Sequence, residues 1–560
     1  MATKDTAIED VDENDTTSIT RAEEGVSNNT GQPRMSDKLH SKQLELKNEP
    51  ATTLGRSATN DRPYTSFNSR QKAIIVLVAT LGGSFSPFTT NIYFPAIDII
   101  SHALHVSISD IGLSITTYMI FQGVSPSFTS AIADDYGRRP AYILGFVVFM
   151  AANLGLALNN SYAGLLVLRC LQSAGSSGLV TLMQGTIADI VTSAERGKYI
   201  AITSLAGILA PSIAPIAGGA LAQHLGWHSV FWFLLILGGV YFVPMVLFFP
   251  ETCRSVVGDG TLEPPKWNRC LTDISRQKRR GHGEKTEGGN TFAEQEKQKA
   301  RRSRSQKWDI FGPLLICLDL ETAIILFYMS IIYSGFYVIS TTLTVQFHKI
   351  YHLSSTLQGL LFLSQAVGTV FAALTNSRSL DWNFRRHARK AGLEVDRRKQ
   401  TDLLKMPVER ARIEAGFPFF LSQAIFVIIY GWLLEAKVHI AGPIIILVFI
   451  GYTMLGGFNP LSVLIIDIHR SRPATASAAT NLARCLLGAG ASAVANPMIE
   501  AMGNGWTFTL VGLIELAVLP TLILPYMHGM KWRAQRREKE EKKRAEEEEK
   551  KRQMEGREGD

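Results

Sequence analysis

The sequence contains twelve long runs of apolar residues, and each is about as long as a helix that crosses a lipid bilayer. A helix rises about 1.5 Å per residue, so roughly 20 residues cross the ~30 Å hydrocarbon core. In lipid, each segment must satisfy its own backbone hydrogen bonds, so the runs predict helices. We number them spans 1 to 12, at 73–95, 111–131, 141–158, 164–187, 199–223, 228–249, 314–338, 356–376, 417–436, 441–466, 474–498 and 506–527.

Polar stretches divide these spans into two groups of six. The pattern predicts an all-α polytopic membrane protein, with an N-terminal six-helix bundle at 71–250 and a C-terminal six-helix bundle at 313–527. The remaining parts are an N-terminal tail at 1–70, a basic central loop at 251–312, a long loop at 377–416 inside the second bundle, and a charged tail at 528–560.

The two tails differ in composition. Residues 1–70 are rich in acidic and small polar residues and lack a periodic apolar pattern, which predicts a disordered tail. Residues 528–560 alternate runs of glutamate with runs of lysine and arginine. This pattern allows a charged single helix with ion pairs four residues apart, with a disordered tail as the alternative.

The distribution of basic residues predicts the orientation. The formal net charge is +8, and the surplus lysine and arginine lies in loops on one side of the predicted bundles. In the loops on the opposite side, the only lysine or arginine residues are Lys349 and Lys437. Because lysine and arginine beside spans stay in the cytoplasm, both termini are predicted to be cytoplasmic. The basic surplus therefore follows membrane topology and does not indicate nucleic-acid binding. We expect the plasma membrane, with a vacuolar or other internal membrane as the alternative.

The sequence carries no pattern typical of an enzyme. Its five cysteines are scattered without C-x-x-C spacing, so they predict neither a disulfide framework nor a metal site. It has no H-E-x-x-H, G-x-S-x-G or Walker-type phosphate loop. We expect no enzymatic activity, no cofactor and no metal. Without a nucleotide loop, we also expect no direct use of ATP.

The loop between spans 2 and 3 reads S-A-I-A-D-D-Y-G-R-R-P from residue 130 to residue 140. Such a charged, glycine-containing connection must lie in water, and its two arginines place it on the cytoplasmic side. Asp134 is expected to pair with Arg138, with Arg139 or with the end of another helix. Together with Gly137, these residues are predicted to act as a gate at the cytoplasmic face.

This loop resembles the signature loop of the major facilitator superfamily, G-x-x-x-D-(R/K)-x-G-R-R. Ser130 stands where the family usually has glycine, and Asp135 stands where it has a basic residue. The resemblance implies the major facilitator fold, with 12 transmembrane helices in two six-helix bundles.

Span 4 carries Arg169, Gln172, Gly175 and Gly178 at intervals of three residues, along one helical face. An arginine inside an apolar span is costly unless it faces protein or a water-filled cavity, so it marks a candidate functional site. The pattern R-x-x-Q-x-x-G resembles the superfamily's span 4 motif, whose arginine is associated with proton coupling in drug antiporters. The alternative is a structural arginine bonded to the carbonyls of a neighbouring span.

Span 5 carries a cluster of glycine and proline that predicts a bent helix able to approach a partner closely. The cluster resembles the antiporter motif G-P-x-x-G-G, with Ala214 in place of the first glycine. The resemblance implies that these residues permit the helix to rearrange during gating, and a merely kinked packing helix is the alternative. The residues are Gly207, Pro211, Pro215, Gly218 and Gly219.

Four further candidates lie within spans 1, 11 and 12. Asn481 and Arg484 share one face of span 11, and Arg484 takes a place in the second half comparable to that of Arg169 in the first. Glu515 is the only carboxylate near the middle of a predicted span, which makes it a candidate proton carrier. A structural Arg484–Glu515 ion pair is the alternative. Asn91 is a polar candidate in span 1.

Four further segments extend the resemblance over 73–527: N-I-Y-F-P-A-I, P-E-T-C-R-S-V-V-G-D-G, M-P-V-E-R-A-R and the span 11 sequence A-T-A-S-A-A-T-N-L-A-R-C-L-L-G-A-G. Together they are similar to the fungal branch of the 12-span drug:proton antiporters, which includes quinidine-resistance and citrate exporters. The resemblance implies a substrate pocket near the midplane, between the two bundles, as in other transporters with this architecture.

The expected function is therefore secondary active export of small organic molecules (drugs, toxins or secondary metabolites) by alternating access in exchange for protons. The expected partners are a small-molecule substrate, protons and the lipid bilayer. A citrate-like organic-acid exporter ranks second, because similar citrate exporters carry a basic residue where this chain has Gly207. Proton-coupled uptake ranks third. A membrane sensor that keeps the fold but transports nothing is the alternative from a different class.

Overall fold

The structure is a computed structural model of the chain. It describes residues 65–191, 196–258, 262, 264–265, 268–271, 311–390, 392, 406–469 and 473–558. The predicted disorder of the N-terminal tail concerns residues that lie almost entirely outside this part, as do most of the basic central loop and the middle of the long loop at 377–416.

Each of the six N-terminal spans is a helix. A short 3₁₀ turn at Phe94–Ala96 and a helix at Ile97–Leu104 follow span 1, and one helical turn at Arg254–Val257 follows span 6. The bounds of spans 1 to 6 are Ser69–Ile92, Ile108–Tyr136, Arg138–Leu158, Tyr162–Ile190, Arg196–Leu225 and His228–Phe248.

The six C-terminal spans are helical as well. Spans 11 and 12 form one continuous segment, Pro473–Val518, which breaks at Gly503, where φ is +77°. A short helix at Gly312–Cys317 precedes span 7, and a 3₁₀ turn at Leu519–Leu522 leads from span 12 into a terminal helix at Ile523–Glu558. Spans 7 to 10 are Leu320–Tyr351, Ser355–Lys390, Val408–Glu435 and Ala441–Ile468.

Several predicted boundaries were wrong, among them the start of span 9, which is Val408 and not residue 417. Span 7 begins at Leu320 and not at residue 314, because the Asp319 carboxylate accepts hydrogen bonds from Thr322 and caps a new helix. Span 7 then continues to Tyr351, so most of the predicted connection at 339–355 is helical. Span 8 runs to Lys390, beyond the predicted end at residue 376.

Nine helical segments of the described chain are long and apolar enough to cross a membrane, judged by length and composition. They include every predicted span except spans 2 and 5, and one of them contains both spans 11 and 12. Spans 2 and 5 are nevertheless helices of 29 and 30 residues. Both pack against the opposite six-helix bundle, span 2 on span 11 and span 5 on span 8.

The contact between spans 5 and 8 depends on close approach of the two backbones. A Cβ atom at Gly219 would overlap the carbonyl oxygen of Ser355, and one at Gly359 would overlap the carbonyl oxygen of Pro215. Small residues allow such approach between membrane helices, where van der Waals packing replaces the hydrophobic effect as the main attraction. A larger residue at Gly219 or Gly359 would therefore push the backbones of spans 5 and 8 apart.

The two bundles are also joined by hydrogen bonds. We call the side where span 1 begins the inner side and the opposite side the outer side. Near the outer end of the contact between spans 5 and 8, the Gln223 side-chain oxygen accepts two hydrogen bonds from Thr356. The donors are the backbone N–H at 3.0 Å and the hydroxyl at 2.8 Å. The hydroxyl of Thr344 donates to the carbonyl of Phe94 at 3.2 Å. These contacts close the outer part of the seam between the bundles.

Replacement of Gly359 by valine is expected to destabilise the folded protein by about 1–3 kcal/mol, since the new side chain must displace the backbone of span 5. Thermal unfolding of the purified protein would measure the loss. Gly239→Val is the matched control, because a Cβ at Gly239 meets no atom within 4 Å. Equal melting temperatures for the two variants would contradict the close contact between spans 5 and 8.

Candidate functional site

The loop between spans 2 and 3 is built around the carboxylate of Glu251. This carboxylate accepts hydrogen bonds from the backbone N–H groups of Arg138 at 2.8 Å and Arg139 at 3.2 Å. It therefore caps the N-terminus of span 3, where the helix dipole favours a negative charge. Gly137 precedes this cap with φ +111°, and a Cβ there would overlap the Glu251 carboxylate. Glycine is thus required for conformation and for space.

The arginine side chains of this loop are fixed by different partners. Arg138 forms ion pairs with Asp134 and with Asp189, the latter at the end of span 4, both at 2.9 Å. Arg139 donates instead to the carbonyl of Val246 in span 6 at 2.7 Å. The loop therefore connects spans 2, 3, 4 and 6 at the inner side. Of the pairings that the sequence allowed for Asp134 (Arg138, Arg139 or the end of another helix), the structure forms the one with Arg138.

The segment after span 6 adds to this network. The Glu251 carboxylate also accepts a hydrogen bond from the side chain of Asn268 at 2.6 Å and from the backbone N–H of Cys253 at 2.8 Å. Burial raises the pKa of the Cys253 thiol to about 11, so the thiol stays protonated near pH 7 and is a poor nucleophile. Glu251 and Cys253 thus serve as structural groups in this network.

At the inner end of the second bundle, the terminal helix supplies the positive charges. Arg536 pairs with Glu321 at 2.9 Å and with Asp319, and Arg533 pairs with Glu409 at 3.4 Å. Glu321 and Glu409 are each only 1% exposed, so these arginines compensate two buried carboxylates at the starts of spans 7 and 9. The terminal helix is therefore part of the folded bundle and not a free tail.

His469 joins span 10 to the same cluster. Its Nε2 atom lies 2.7 Å from the hydroxyl of Thr322, within hydrogen-bonding distance. Burial, reinforced by the charge of Arg536, lowers the pKa of His469 to about 4. The imidazole therefore stays neutral near pH 7.

Arg169 is enclosed within the first bundle, with 1% of its surface exposed. Its guanidinium lies over the rings of Tyr93 at 4.2 Å and Tyr118 at 4.3 Å, and both faces of an aromatic ring attract cations. Nη1 donates to the side-chain oxygen of Gln172 at 2.6 Å, and Gln172 donates to Asn153 at 2.8 Å. The predicted Arg169–Gln172 grouping is thus one hydrogen-bonded chain that links spans 3 and 4 and touches spans 1 and 2.

The span 5 residues separate into two environments. Gly218 and Gly219 lie in tight contacts, against the carbonyl oxygens of Ile92 and Ser355. Pro215 is buried beside span 8, Pro211 is half-buried, and the helix continues through both prolines. By contrast, Gly207 is exposed, and a Cβ there would meet no atom within 4 Å. The close packing of this motif is therefore confined to its outer part.

Asn481 connects span 11 to span 2. Its amide nitrogen donates to the carbonyl of Gln122 at 2.9 Å, and its amide oxygen accepts from Nε and Nη2 of Arg484 at 3.2 and 2.9 Å. Arg484 lies over the rings of Tyr333 at 4.9 Å and Phe458 at 5.9 Å. Span 11 therefore places an arginine at the seam between the two bundles, with aromatic rings from spans 7 and 10 beside it.

Glu515 is isolated. It is 1% exposed, and neither carboxylate oxygen has a hydrogen-bond partner among the described residues. Gly335 in span 7 has no side chain, and a Cβ there would overlap the Glu515 carboxyl group. The alternative of an Arg484–Glu515 ion pair was wrong, because Arg484 bonds to Asn481. Ionisation of a carboxyl group without a partner in a buried site is costly, so this arrangement favours the protonated form.

Asn91 is not part of either arginine cluster. Its amide donates to the carbonyl of Pro87 on its own helix at 2.7 Å, and its side chain is half-buried. The carbonyl belongs to the residue four positions earlier on the same helix, and that proline has no N–H to donate to the helical ladder. The observed contact of Asn91 is therefore local.

Comparison with known proteins identifies the family. The Major Facilitator Superfamily model matches residues 79–493. The chain belongs to the Major Facilitator Superfamily. Among relatives, it is 44% identical to the MFS-type transporter phiD of Fungal sp. over 493 residues, which cover 88% of this chain and 73% of phiD. It is 40% identical to the MFS-type transporter tstD of Talaromyces stipitatus over 520 residues, covering 92% and 93% of the two chains.

Two further similarities concern a named substrate and the fold. The chain is 33% identical to Citrate exporter 1 of Aspergillus niger over 515 residues, covering 90% of this chain and 94% of the exporter. A partially occluded, inward-open structure of the xylose transporter XylE from E. coli matches with a TM-score of 0.57 at 16% identity, covering 82% of this chain and 98% of XylE. The structural match supports the fold alone. This member of the superfamily is thus a multi-pass membrane transporter and not an enzyme.

Sequence reasoning missed several residues of these clusters in the transporter. Glu251 lies in the P-E-T sequence directly after span 6. In the sequence, this segment indicated only a resemblance to the family. Its position after a span and before a basic segment could have indicated a partner for the arginine loop. The rings of Tyr118 and Tyr333 carried no such signal, because an aromatic residue in a span usually packs against other apolar side chains.

The pKa of His469 predicts a pH dependence of stability. A histidine whose pKa is lowered by folding destabilises the native state when it must be protonated, so stability should fall as the pH drops from about 6.5 towards 4. We expect His469→Gln to reduce this fall, measured by thermal unfolding of the purified protein across that range. His528→Gln, at an exposed histidine of the terminal helix, is the control. An unchanged pH profile in His469→Gln would contradict the assignment.

Proposed function

We propose that this transporter exports small organic molecules (drugs, toxins or secondary metabolites) by alternating access in exchange for protons. The observation that carries the proposal is the buried carboxyl group of Glu515. It has no hydrogen-bond partner in the described part of the chain and is the only carboxylate near the middle of a predicted span. Such a group holds a proton while it is buried and can release it when a rearrangement exposes it to water. A carboxyl group of this kind would couple proton movement to the conformational cycle.

The gate at the inner side would consist of Asp134, Gly137, Arg138 and Arg139. In support, the ion pairs and caps of this loop hold four spans together at one end of the first bundle. The loop would keep those spans moving as one body during the cycle.

The moving contact would be that of span 5 with span 8. Gly218 and Gly219 pack tightly at the outer part of this contact, whereas Gly207 has open space around it. Pro211 and Pro215 each lack a backbone donor, which weakens the helix between these two regions. We propose that span 5 bends here when the outer side opens.

Arg169 and Gln172 would respond to the proton through the first bundle, since their chain touches spans 1 to 4. Asn481 and Arg484 would contact substrate at the seam. Asn91 keeps only a proposed supporting role in span 1.

The membrane and orientation follow the distribution of charge. We propose that the protein lies in the plasma membrane with both termini in the cytoplasm, so that the inner side faces the cytoplasm. Substrate would then be taken up from the cytoplasm and released outside.

The second candidate is an organic-acid exporter. The similarity to Citrate exporter 1 supports it, as does an arginine at the seam. The names of the relatives, MFS-type transporters, favour transport over a sensor that transports nothing.

The proposal is tested by measuring how much of each radiolabelled compound accumulates in cells that overexpress the protein, with and without a protonophore. Cationic drugs, organic acids and polyamines form the panel. We expect at least one compound to accumulate less in these cells and the protonophore to abolish the difference. Export that persists fully after collapse of the proton gradient would contradict proton exchange.

Glu515→Gln is expected to abolish export against a gradient, because glutamine resembles the protonated acid but cannot release a proton. Exchange of labelled for unlabelled substrate across vesicles should persist, since it needs no net proton movement. Glu500→Gln makes the same change at an exposed position of span 11 and serves as the control. Full proton-driven export by Glu515→Gln would remove Glu515 from the coupling mechanism.

Arg169→Ala is expected to abolish export while the amount and location of the protein stay unchanged. The guanidinium is the common partner of two tyrosine rings and Gln172. Its loss removes the contacts through which spans 1 to 4 would respond to the proton. Transport activity and surface abundance should be measured in the same cells. Full activity of Arg169→Ala would contradict its proposed role.

A further inference from the structure

Among aspartate, glutamate, lysine and arginine, three side chains lie near the middle of the spans: Arg169, Arg484 and Glu515. Arg169 and Glu515 are sealed, each with 1% of its surface exposed. Arg484 is only half-buried. It is therefore the one charged group of these three that a molecule between the bundles could reach without rearrangement.

Arg484 lies at the depth expected for a transported molecule. It is eleven residues after Pro473, where the described part of span 11 begins, and at about 1.5 Å per residue this places it roughly 16 Å from the inner end. That distance is about half of the hydrocarbon thickness. Farther along the same seam, the hydroxyl of Thr116 donates to the carbonyl of Ala489 at 3.2 Å, on the outer side of Arg484. Arg484 is thus on the inner side of a closed contact.

No carboxylate of the described residues pairs with Arg484. It hydrogen-bonds to the neutral amide of Asn481, and its other neighbours include the Cys485 thiol and the rings of Tyr333 and Phe458. An unpaired guanidinium at this depth is costly. A bound anion would compensate the charge, and a guanidinium matches a carboxylate through two parallel hydrogen bonds.

The same region offers little to a cation. The acidic residues at the inner ends of the spans, such as Asp189, Glu321 and Glu409, are already paired with arginines. Glu515 is enclosed and, in its protonated form, carries no charge. A positively charged drug beside Arg484 would therefore meet a like charge, with no accessible counter-charge nearby among the residues that the structure describes.

We propose that Arg484, supported by Asn481, binds the carboxylate of an organic anion, while Tyr333 and Phe458 contact an apolar or aromatic part of the same molecule. The inference deepens the proposed function and rests on it, because it names the substrate class of the transporter: amphipathic organic acids. Asn481 is a positioning residue, since its amide oxygen fixes two nitrogens of the guanidinium and its amide nitrogen ties it to Gln122.

The test uses three probes with one apolar body and different head groups: 4-phenylbutyrate, 4-phenylbutanol and 4-phenylbutylamine. Binding of each radiolabelled probe to the purified full-length protein in lipid nanodiscs is measured at pH 7. We expect 4-phenylbutyrate to bind at least tenfold more tightly than the alcohol, and the amine to bind more weakly than both. Equal binding of the acid and the alcohol by the natural protein would overturn the proposal without any variant.

Arg484→Gln is expected to weaken binding of 4-phenylbutyrate at least tenfold and to change binding of the alcohol less than twofold. Arg484→Lys keeps the charge without the planar fork, so it should recover part of the affinity for the acid. Lys349→Gln removes one positive charge at an exposed position of span 7 and is the control for net charge. Equal loss of all three probes in both Arg484 variants would mean a purely structural role and would overturn the proposal.

Transport separates the two proposals. If the natural protein exports 4-phenylbutanol in a proton-dependent way but binds the acid no better, the subsite is wrong and the proposed function stands. If acid binding depends on Arg484 but the protonophore changes no flux, the subsite stands and proton-coupled export fails.

Discussion

The cost of placing a charged or polar group in hydrocarbon determines where the polar residues of this protein lie. A charge at the centre of a bilayer costs about 3 kcal/mol or more, so it persists only where protein or water surrounds it. Arg169 is enclosed by tyrosine rings and an amide. Glu515 has no hydrogen-bond partner among the residues that the structure describes, so its buried site disfavours a charge. Arg484 is turned to the seam between the bundles. Each mid-span group thus meets the constraint in a different way, and each way suggests a different role.

The inner ends of the two bundles solve a related problem with opposite arrangements of charge. In the first bundle, the carboxylate of Glu251 follows span 6 and caps the N-terminus of span 3. In the second, the carboxylates of Glu321 and Glu409 belong to the spans, and arginines that follow span 12 compensate them. In both cases, the segment directly after the sixth span of a bundle ties its other helices together. That segment therefore belongs to the fold of each bundle.

The sequence predicted the number and order of the spans well, because a run of about 20 apolar residues is a strong and local signal. It predicted boundaries less well. The apolar run from residue 314 gave no sign that Asp319 interrupts it, since a cap is decided by the hydrogen bond to Thr322 and not by composition.

Contacts between spans were the least predictable part. The Asp134–Arg138 pair lies four residues apart, across Gly137 between spans 2 and 3, and could be anticipated. The partners of Arg169 and Arg484 lie on other helices, so they depend on how the helices rotate about their axes. A rotation of one residue, about 100°, would have turned Arg484 towards another neighbour. The choice between an Arg484–Glu515 pair and the observed arrangement was therefore outside the reach of the sequence.

The docked terminal helix has a practical consequence for shortened versions of the protein. A chain that ends at residue 527, where the last predicted span ends, would lose both Arg533 and Arg536 and leave Glu321 and Glu409 without counter-charges. Removing one partner of a buried ion pair typically costs about 3–5 kcal/mol. A shortened protein made for expression should therefore keep the chain at least through Arg536, and a fluorescent or affinity tag belongs beyond the docked part of the helix.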